Sequence, residues 1–461
     1  MKLHRIDVPV HSVPSLDPDF LPIGLFRRSF LSSAGTHTPA ELALERSGGQ
    51  ISRLSTYIHG TAEMREADCY YIDRMVKTLL WMKGGFRIYV KDNRMLYEYL
   101  QGAYREGGSR AFDAHFMSQV YERPFEVLFT DHLPEEKDEP QHIGGHTDGC
   151  RIGFDAGGSD RKVSAVKDGV SVYDEEVVWF PKTHADPAYH YEGIVSAFRS
   201  AAAHLPRVDA VGISSAGIYI DNRTMRASLF SAVPEDLMDR CVKDIYIRAV
   251  RDTFGDIPMA VANDGDVSAL AGVMSLNDNS VLGIAMGTSE AAGYVDEEGR
   301  VTGWLNELAF VPVDCSPEAM RDEWSGDIGC GVKYFSQDAV IKLAPRAGIP
   351  LSDDLTPAEK LKVVQARMED GDAAAASVFR DIGICLGHTL AFYYELYGMR
   401  HVLLLGRVMS GKGGDLILKT CREVLCDDYP EIAEKILPAL PDERFRRIGQ
   451  SAAAAGLPAL K

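Results

Sequence analysis

Two short turns carry the residues best suited to hold phosphate. Phe154-Asp155-Ala156-Gly157-Gly158-Ser159 and Ala285-Met286-Gly287-Thr288-Ser289-Glu290 each close one apolar run and open another. A turn without side-chain bulk lets backbone N–H groups and a hydroxyl close around phosphoryl oxygens. Between the two turns, Val261-Ala262-Asn263-Asp264-Gly265-Asp266 reads as an apolar strand that ends in a carboxylate at the mouth of a helix. A carboxylate in that position can take the proton of a hydroxyl attacking a phosphoryl group. The chemistry within reach of these residue types is phosphoryl transfer, with a paired cradle and one base.

The elements that must position them follow in regular order. Residues 152–155, 163–167 and 170–173 read as three short strands with turns at Gly157-Gly158 and Asp168-Gly169. Helical patterns over 191–204 and 235–253 then alternate with strands at 210–214 and 259–262, and a helix is expected from Val267. A second cycle has strands at 280–285, 291–295 and 301–304 and helices at 357–369 and 373–397. It ends with a strand at 401–405, a helix from Asp415, a strand at 445–448 and a small-residue helix at 451–455. Each half starts with antiparallel strands and continues with helix-connected ones, which predicts an α/β fold of duplicated halves around a central cleft.

Upstream, residues 1–131 form an α+β extension: a helical pattern through Tyr71, Met75, Leu79 and Leu80 ends at Gly84-Gly85, before a strand at 86–90 and a helix over 94–104. The charged, Pro-flanked stretch 134–140 reads as a solvated linker inside 132–150. The expected domains are therefore 1–131, then 151–278 as the first half and 279–461 as the second. Residues 141–461 should form a soluble unit by themselves.

Composition narrows the partners. The chain has 461 residues, 46% hydrophobic, enough for two or three domains with sizeable cores. A formal charge of -18 without a long basic run makes nucleic acid and anionic membranes poor partners. The eight cysteines form no C-x-x-C pair, which predicts free thiols in a reducing compartment. No apolar leader or bilayer-spanning stretch is present, and a cytoplasmic location is expected.

In this order the segments resemble the sugar kinase, Hsp70 and actin superfamily, and within it the ROK branch of sugar kinases and repressors. The resemblance covers 151–461 and implies two RNase H-like domains. It implies ATP as phosphoryl donor, with Mg²⁺ reached through water from Asp155. Gly157, Gly158 and Ser159 in the first turn and Gly287 and Thr288 in the second would face the phosphates. Leu403-Leu404-Leu405-Gly406-Arg407 with Ser410, Gly411 and Gly414 is similar to the adenosine segment, and 449–453 to the closing helix. Asp264 would be the base, with Asn263 and Glu307 on the acceptor and Ser215 and Gly217 in its small-residue loop. Where the branch has Gly-Glu-Ile-Gly-His, this chain has Asn306-Glu307-Leu308-Ala309-Phe310, and only Cys330 stands in for a cysteine-rich loop. The resemblance therefore implies a substrate loop without zinc.

Each residue also has a plainer reading. Asp155 could cap a turn; Asp264 could cap the helix, although Asp266 is better spaced for that. Lys162, Arg161 and Lys412 could neutralise phosphate or be solvated charges, and Asn222 and Ser228 could be loop chemistry. The histidines show no ligand spacing. The combined reading is an ATP-dependent carbohydrate kinase acting on a hydroxyl of a sugar or polyol, with a homodimer admissible. The alternatives are a catalytically decayed sugar-sensing regulator or scaffold, and a hydrolase using the same cradle. Residues 1–131 lack the basic recognition helix that a repressor would carry.

Overall fold

The computed structural model describes residues 1–35, 38–141, 143–442 and 449–460. The N-terminal segment builds α1 (Ile23–Ala34), β1 (Thr38–Glu45), β2 (Ile51–Ile58), α2 (Arg65–Lys83), β3 (Arg87–Lys91), α3 (Arg94–Tyr104), α4 (Ala111–Tyr121) and β4 (Glu126–Thr130). Its sheet has the order β2-β1-β3-β4, with β1 antiparallel to both neighbours and β3 parallel to β4. Alternation in β1 buries Ala40, Leu42 and Leu44. Helix α3 starts where the Asn93 side chain accepts from the Leu96 amide at 3.0 Å, and it buries Leu96, Leu100, Ala103 and Tyr104 at helical spacing. The stretch 134–140, expected as a solvated linker, exposes Glu135, Glu136, Lys137 and Glu139 and is anchored at two of its residues. Lys137 bridges to Ile51, and Asp138 pairs with Arg46 and with Lys83 (2.7 Å) while accepting from Ser52 and Trp304.

Next come β5 (Cys150–Ala156), β6 (Asp160–Lys167), β7 (Val170–Val178), α5 (Pro187–Ala202), β8 (Ala210–Ser215), α6 (Ile245–Phe254), β9 (Met259–Asn263) and α7 (Asp264–Leu276). Their sheet runs β9-β8-β5-β6-β7, parallel across β9, β8 and β5 and antiparallel through β6 and β7. One face packs α5 and α6 through Ile152, Phe154, Phe198, Ile213 and Tyr246. The helix expected over 235–253 is broken: a short turn at Glu235–Leu237 leads into a π turn at Met238–Val242 before α6 begins.

The remaining elements are β10 (Val281–Met286), β11 (Glu290–Val295), α8 (Gln337–Arg346), α9 (Pro357–Glu369), α10 (Ala373–Tyr397), β12 (His401–Leu405), α11 (Gly411–Asp428), β13 (Leu437–Ala439) and α12 (Gln450–Ala455). The sheet order is β11-β10-β12-β13. Residues 301–304 form no strand; Val301 makes only an isolated bridge to Val295. The strand expected at 445–448, like His142, lies outside the described residues.

The chain divides into two compact units. One comprises Met1–Glu139, Ile284–Ala291 and Trp304–Leu440; the other comprises Pro140–Gly283, Ala292–Gly303 and Pro441–Lys461. The N-terminal segment thus groups with the 304–440 portion instead of standing apart. The described cysteines are free thiols, and no helix among the described residues is long and apolar enough to cross a membrane.

Candidate active site

In the second unit, three parallel strands deliver side chains to one edge. Asp155 on β5 pairs in register with Ser214 on β8, and Ser215 pairs with Asn263 at the end of β9. The carboxyl ends of parallel strands are where ligands bind in open α/β sheets. Ser214 Oγ donates to Asp155 Oδ1 at 2.7 Å. Asp155 is 5% exposed, and burial pushes its pKa up to about 6; the Ser214 bond opposes the rise and the nearby Asp264 charge adds to it. Asp264 opens α7. Its carboxyl is raised by burial, with the Gly265 amide and Lys182 acting in the opposite direction.

The cap of α7 is Asn263, not Asp266. Asn263 Oδ1 accepts from the Gly265 amide at 2.7 Å, and the same amide reaches Asp264 Oδ1 at 3.1 Å. Asn263 Nδ2 donates to the Gly217 carbonyl at 2.7 Å, so the two expected acceptor contacts are bonded to each other. Asp266 is buried and accepts from the Tyr294 amide at 3.2 Å. Ser215 is fully buried, its Oγ accepting from Tyr219 (2.7 Å) and Tyr246 (3.0 Å).

The first turn is braced by Trp179, whose Nε1 donates to the Gly157 carbonyl at 2.7 Å and whose amide reaches the Ser159 carbonyl. Ser159 Oγ is engaged with Asp160, Lys162 lies 3.4 Å from the same carboxylate, and Arg161 bonds the Gly193 carbonyl. The cation over this turn is another residue. Lys182 Nζ lies 3.3 Å from where a Cβ on Gly158 would be, and its charge is felt at Asp264. Sequence reasoning missed it because its position depends on how the turn at Pro181–Thr183 folds back over the first hairpin.

In the other unit, Thr288 and Ser289 are exposed at the tip of the second turn, while the Gly287 carbonyl accepts from the Gln337 amide at the start of α8 (2.9 Å). Glu290 turns inward. It is 4% exposed, neither carboxyl oxygen has a partner among the described residues, and burial together with Glu307 pushes its pKa up to about 8. Its carboxylate occupies the space a Cβ on Gly331 would need. Glu307 is half-buried at the cap of a 3₁₀ turn, Leu308–Phe310, with its amide donating to the Trp81 carbonyl at 3.0 Å.

Gly406 follows β12 with φ 93°, and any side chain there would collide with the Met286 carbonyl. The expected adenosine segment therefore runs directly beside the second turn. Ser410 precedes α11 without capping it; the Lys412 amide instead donates to Glu369 Oε1 at 2.8 Å, and Lys412 Nζ reaches the Glu369 carbonyl. Gly411 takes a positive φ of 65° beside that carboxylate.

The zinc-loop positions hold other chemistry. Phe310 is buried against Trp81 (centroids 4.2 Å) and Trp324 (5.7 Å), and the Cys330 thiol is pushed up to about 12 by burial. Among the described residues no group of three or more His, Cys, Asp or Glu could hold a metal ion.

No protein-family model matches the chain, and the search of curated proteins returns no relative. Solved structures do match. The ROK hexokinase from Thermus thermophilus aligns with a TM-score of 0.50 at 19% identity, covering 66% of this chain and 96% of that one. A ROK family transcriptional regulator, a homologue of the E. coli Mlc protein, aligns with a TM-score of 0.50 at 18% identity over 67% of this chain and 77% of that one. A ROK family glucokinase from Streptomyces griseus, in complex with glucose and AMPPNP, matches at 22% identity with a TM-score of 0.47, over 67% and 98%. The chain has the mixed α/β, two-domain fold of the ROK-type sugar kinases, a fold also used by a transcriptional regulator.

Proposed function

We propose that this chain is an ATP- and Mg²⁺-dependent kinase that phosphorylates a hydroxyl of a sugar or related polyol. The observation that carries the reading is the presence of Asp155 and Asp264 at the carboxyl ends of β5 and β9, on either side of β8, both carboxyls raised by burial and one opening a helix. In this reading 151–278 supplies the base and the first phosphate turn, and 279–461 supplies the second turn and the adenosine segment. Asp264 accepts the proton of the acceptor hydroxyl as the γ-phosphoryl group departs. Thr288 and the amides of the second turn face the terminal phosphates, Lys182 adds positive charge over the first turn, and Glu307 orients the acceptor. Mg²⁺, when bound with ATP, would be held through water by Asp155 and would neutralise phosphate charge.

The test is a coupled ADP-release screen over hexoses, amino sugars, polyols and inositols, followed by Asp264→Asn. That variant keeps size and the Asn263 cap but loses the proton acceptor. Turnover is expected to fall by roughly two to four orders of magnitude with ATP affinity and melting temperature almost unchanged. Asp266→Asn should stay active, because an amide oxygen still accepts from Tyr294. Normal turnover in the Asp264 variant removes the base assignment.

A second reading, sugar sensing without turnover, is favoured by the inward, unpartnered Glu290 in the second turn and by the regulator that shares the fold. ATP and sugar binding without turnover on any hydroxyl would select it.

A further inference from the structure

Residues 1–139 have no role in the proposed reaction, yet they hold the segment that carries Glu307 from both sides. At its start, the Asn306 and Glu307 amides donate to the Met82 and Trp81 carbonyls at 2.9 and 3.0 Å. Further along, Ile23 and Val313 share a backbone bond of 3.1 Å, the Cys315 amide donates to the Leu21 carbonyl at 2.8 Å, and the Leu21 amide donates to Asp314 Oδ1 at 2.9 Å. Tyr70 Oη donates to the Cys315 carbonyl at 3.2 Å. The Trp81 ring covers Phe310, three residues beyond Glu307.

The far end of the loop is held by charge. Asp327 receives Arg110 at 2.7 Å, Lys77 at 2.9 Å and Arg74 at 3.1 Å, all three from the N-terminal segment. Asp73 pairs with Arg110 (2.6 Å) and Arg74 (3.1 Å); Asp113 accepts from Trp81 Nε1 (2.9 Å) and faces Lys77 (3.5 Å). The six charges balance, and all are buried or nearly so. Despite burial, Asp327 is held below its ordinary pKa, by Arg74 and Lys77 above all. A sealed ion cluster is a poor source of net stability compared with apolar packing, but its geometry is specific, and that specificity is its best-attested use.

We propose that residues 1–139 are a built-in clamp on the acceptor loop. The Trp81 and Met82 carbonyls set the backbone at Glu307, and Arg74, Lys77 and Arg110 set Asp327, so that Glu307 is positioned by a segment outside the kinase-like portion. The acceptor role of Glu307 rests on the kinase reading; the clamp itself does not.

The test uses the full chain with Asp327→Asn and, in case that variant fails to fold, Lys77→Met/Asp327→Asn, which keeps the cluster balanced. Amide hydrogen exchange is measured first, without substrate. The amides of Asn306, Glu307 and residues 313–331 should lose protection by about tenfold or more while those of β5, β8 and β9 hold. Kinetics follow, with MgATP and D-glucose, or the hydroxyl acceptor selected by the ADP-release screen. The acceptor KM should rise by about tenfold with the ATP KM within about twofold, a split that general destabilisation would not produce. Unchanged exchange in the loop, or a parallel rise of both KM values, overturns the clamp. If no acceptor turns over, the kinase reading falls and the exchange result alone decides the clamp.

Discussion

Lys182 Nζ lies 3.3 Å from where a Cβ on Gly158 would be, and among the described residues its charge is the cationic one that registers at Asp264. It is exposed, so its removal should leave stability within about 0.5 kcal/mol. Lys182→Met should instead lower kcat/KM for ATP by about ten- to hundredfold, since a preorganised positive group acts where charge gathers on the phosphates. Lys162→Met, already paired with Asp160, is the comparison and should change little. Equal effects of the two variants would mean that Lys182 contributes only diffuse charge.

Glu290 makes a different residue-scale prediction. Its folded pKa, about 8, lies above the ordinary value near 4.3, so between these the folded chain keeps a proton that the unfolded chain releases. The Glu290 contribution to stability therefore falls as pH rises through that window and is constant outside it. Glu290→Gln removes this titration. Urea unfolding at pH 5 and pH 8.5 should show the variant gaining on the parent at the higher pH, with a slope of up to about 1.4 kcal/mol per unit between. A difference independent of pH would mean that the Glu290 carboxyl finds a partner when it ionises.

At the scale of elements, the closing helix α12 lies directly on the backbones of β5 and β8. A Cβ on Gly153 would strike the Ser451 carbonyl, and one on Gly212 the Ala454 carbonyl; Ser164 and Ser451 add a hydroxyl pair at 2.7 Å. Gly212→Ala should therefore cost about 1–3 kcal/mol by overpacking, read as a lower urea midpoint. Gly102→Ala, in α3 with open space around it, should be neutral or stabilising by about 0.5–1 kcal/mol. Equal midpoints for the two would show that α12 can lift away without loss.

The same scale shows what the sequence could and could not reveal. Helices α3, α9 and α10 and strand β12 stand where apolar spacing put them, and in the structure each also has a local signal: the Asn93 cap, the Thr356–Glu359 capping box, the Asp372 cap, and an apolar run before Gly406. The break at Met238–Val242 had none, since the apolar spacing continues across it. At the site, motif order singled out Asp155, one residue before the end of β5, and Asp264, which opens α7 directly after β9. The Asn263 cap, the buried hydroxyl trio at Ser215 and the inward turn of Glu290 depend on tertiary partners such as Gly217, Tyr246 and Gly331, which no local pattern names.

At the scale of the whole molecule, the charged stretch 134–140 suggested that residues 141–461 would fold alone, and the contacts within the first unit argue otherwise. Removing residues 1–140 strips Asp327 of Arg74, Lys77 and Arg110, and uncovers Phe310 where Trp81 lay. It also removes the Leu16 amide from Asp381 (2.6 Å), the Ser12 carbonyl from His388 (2.8 Å) and the cover of α1 over Phe392. Leaving one buried charge without its partners costs about 3–5 kcal/mol, a large share of the total stability of a domain. The 141–461 fragment should therefore be poorly soluble or loosely packed, with weak near-ultraviolet circular dichroism and strong binding of a hydrophobic dye relative to the full chain. Adding residues 1–139 as a separate polypeptide during refolding should restore part of the native signal, because the lost contacts are non-covalent. A fragment that is monomeric, cooperative in urea and competent for ATP without that addition would show that the N-terminal segment is dispensable for the fold.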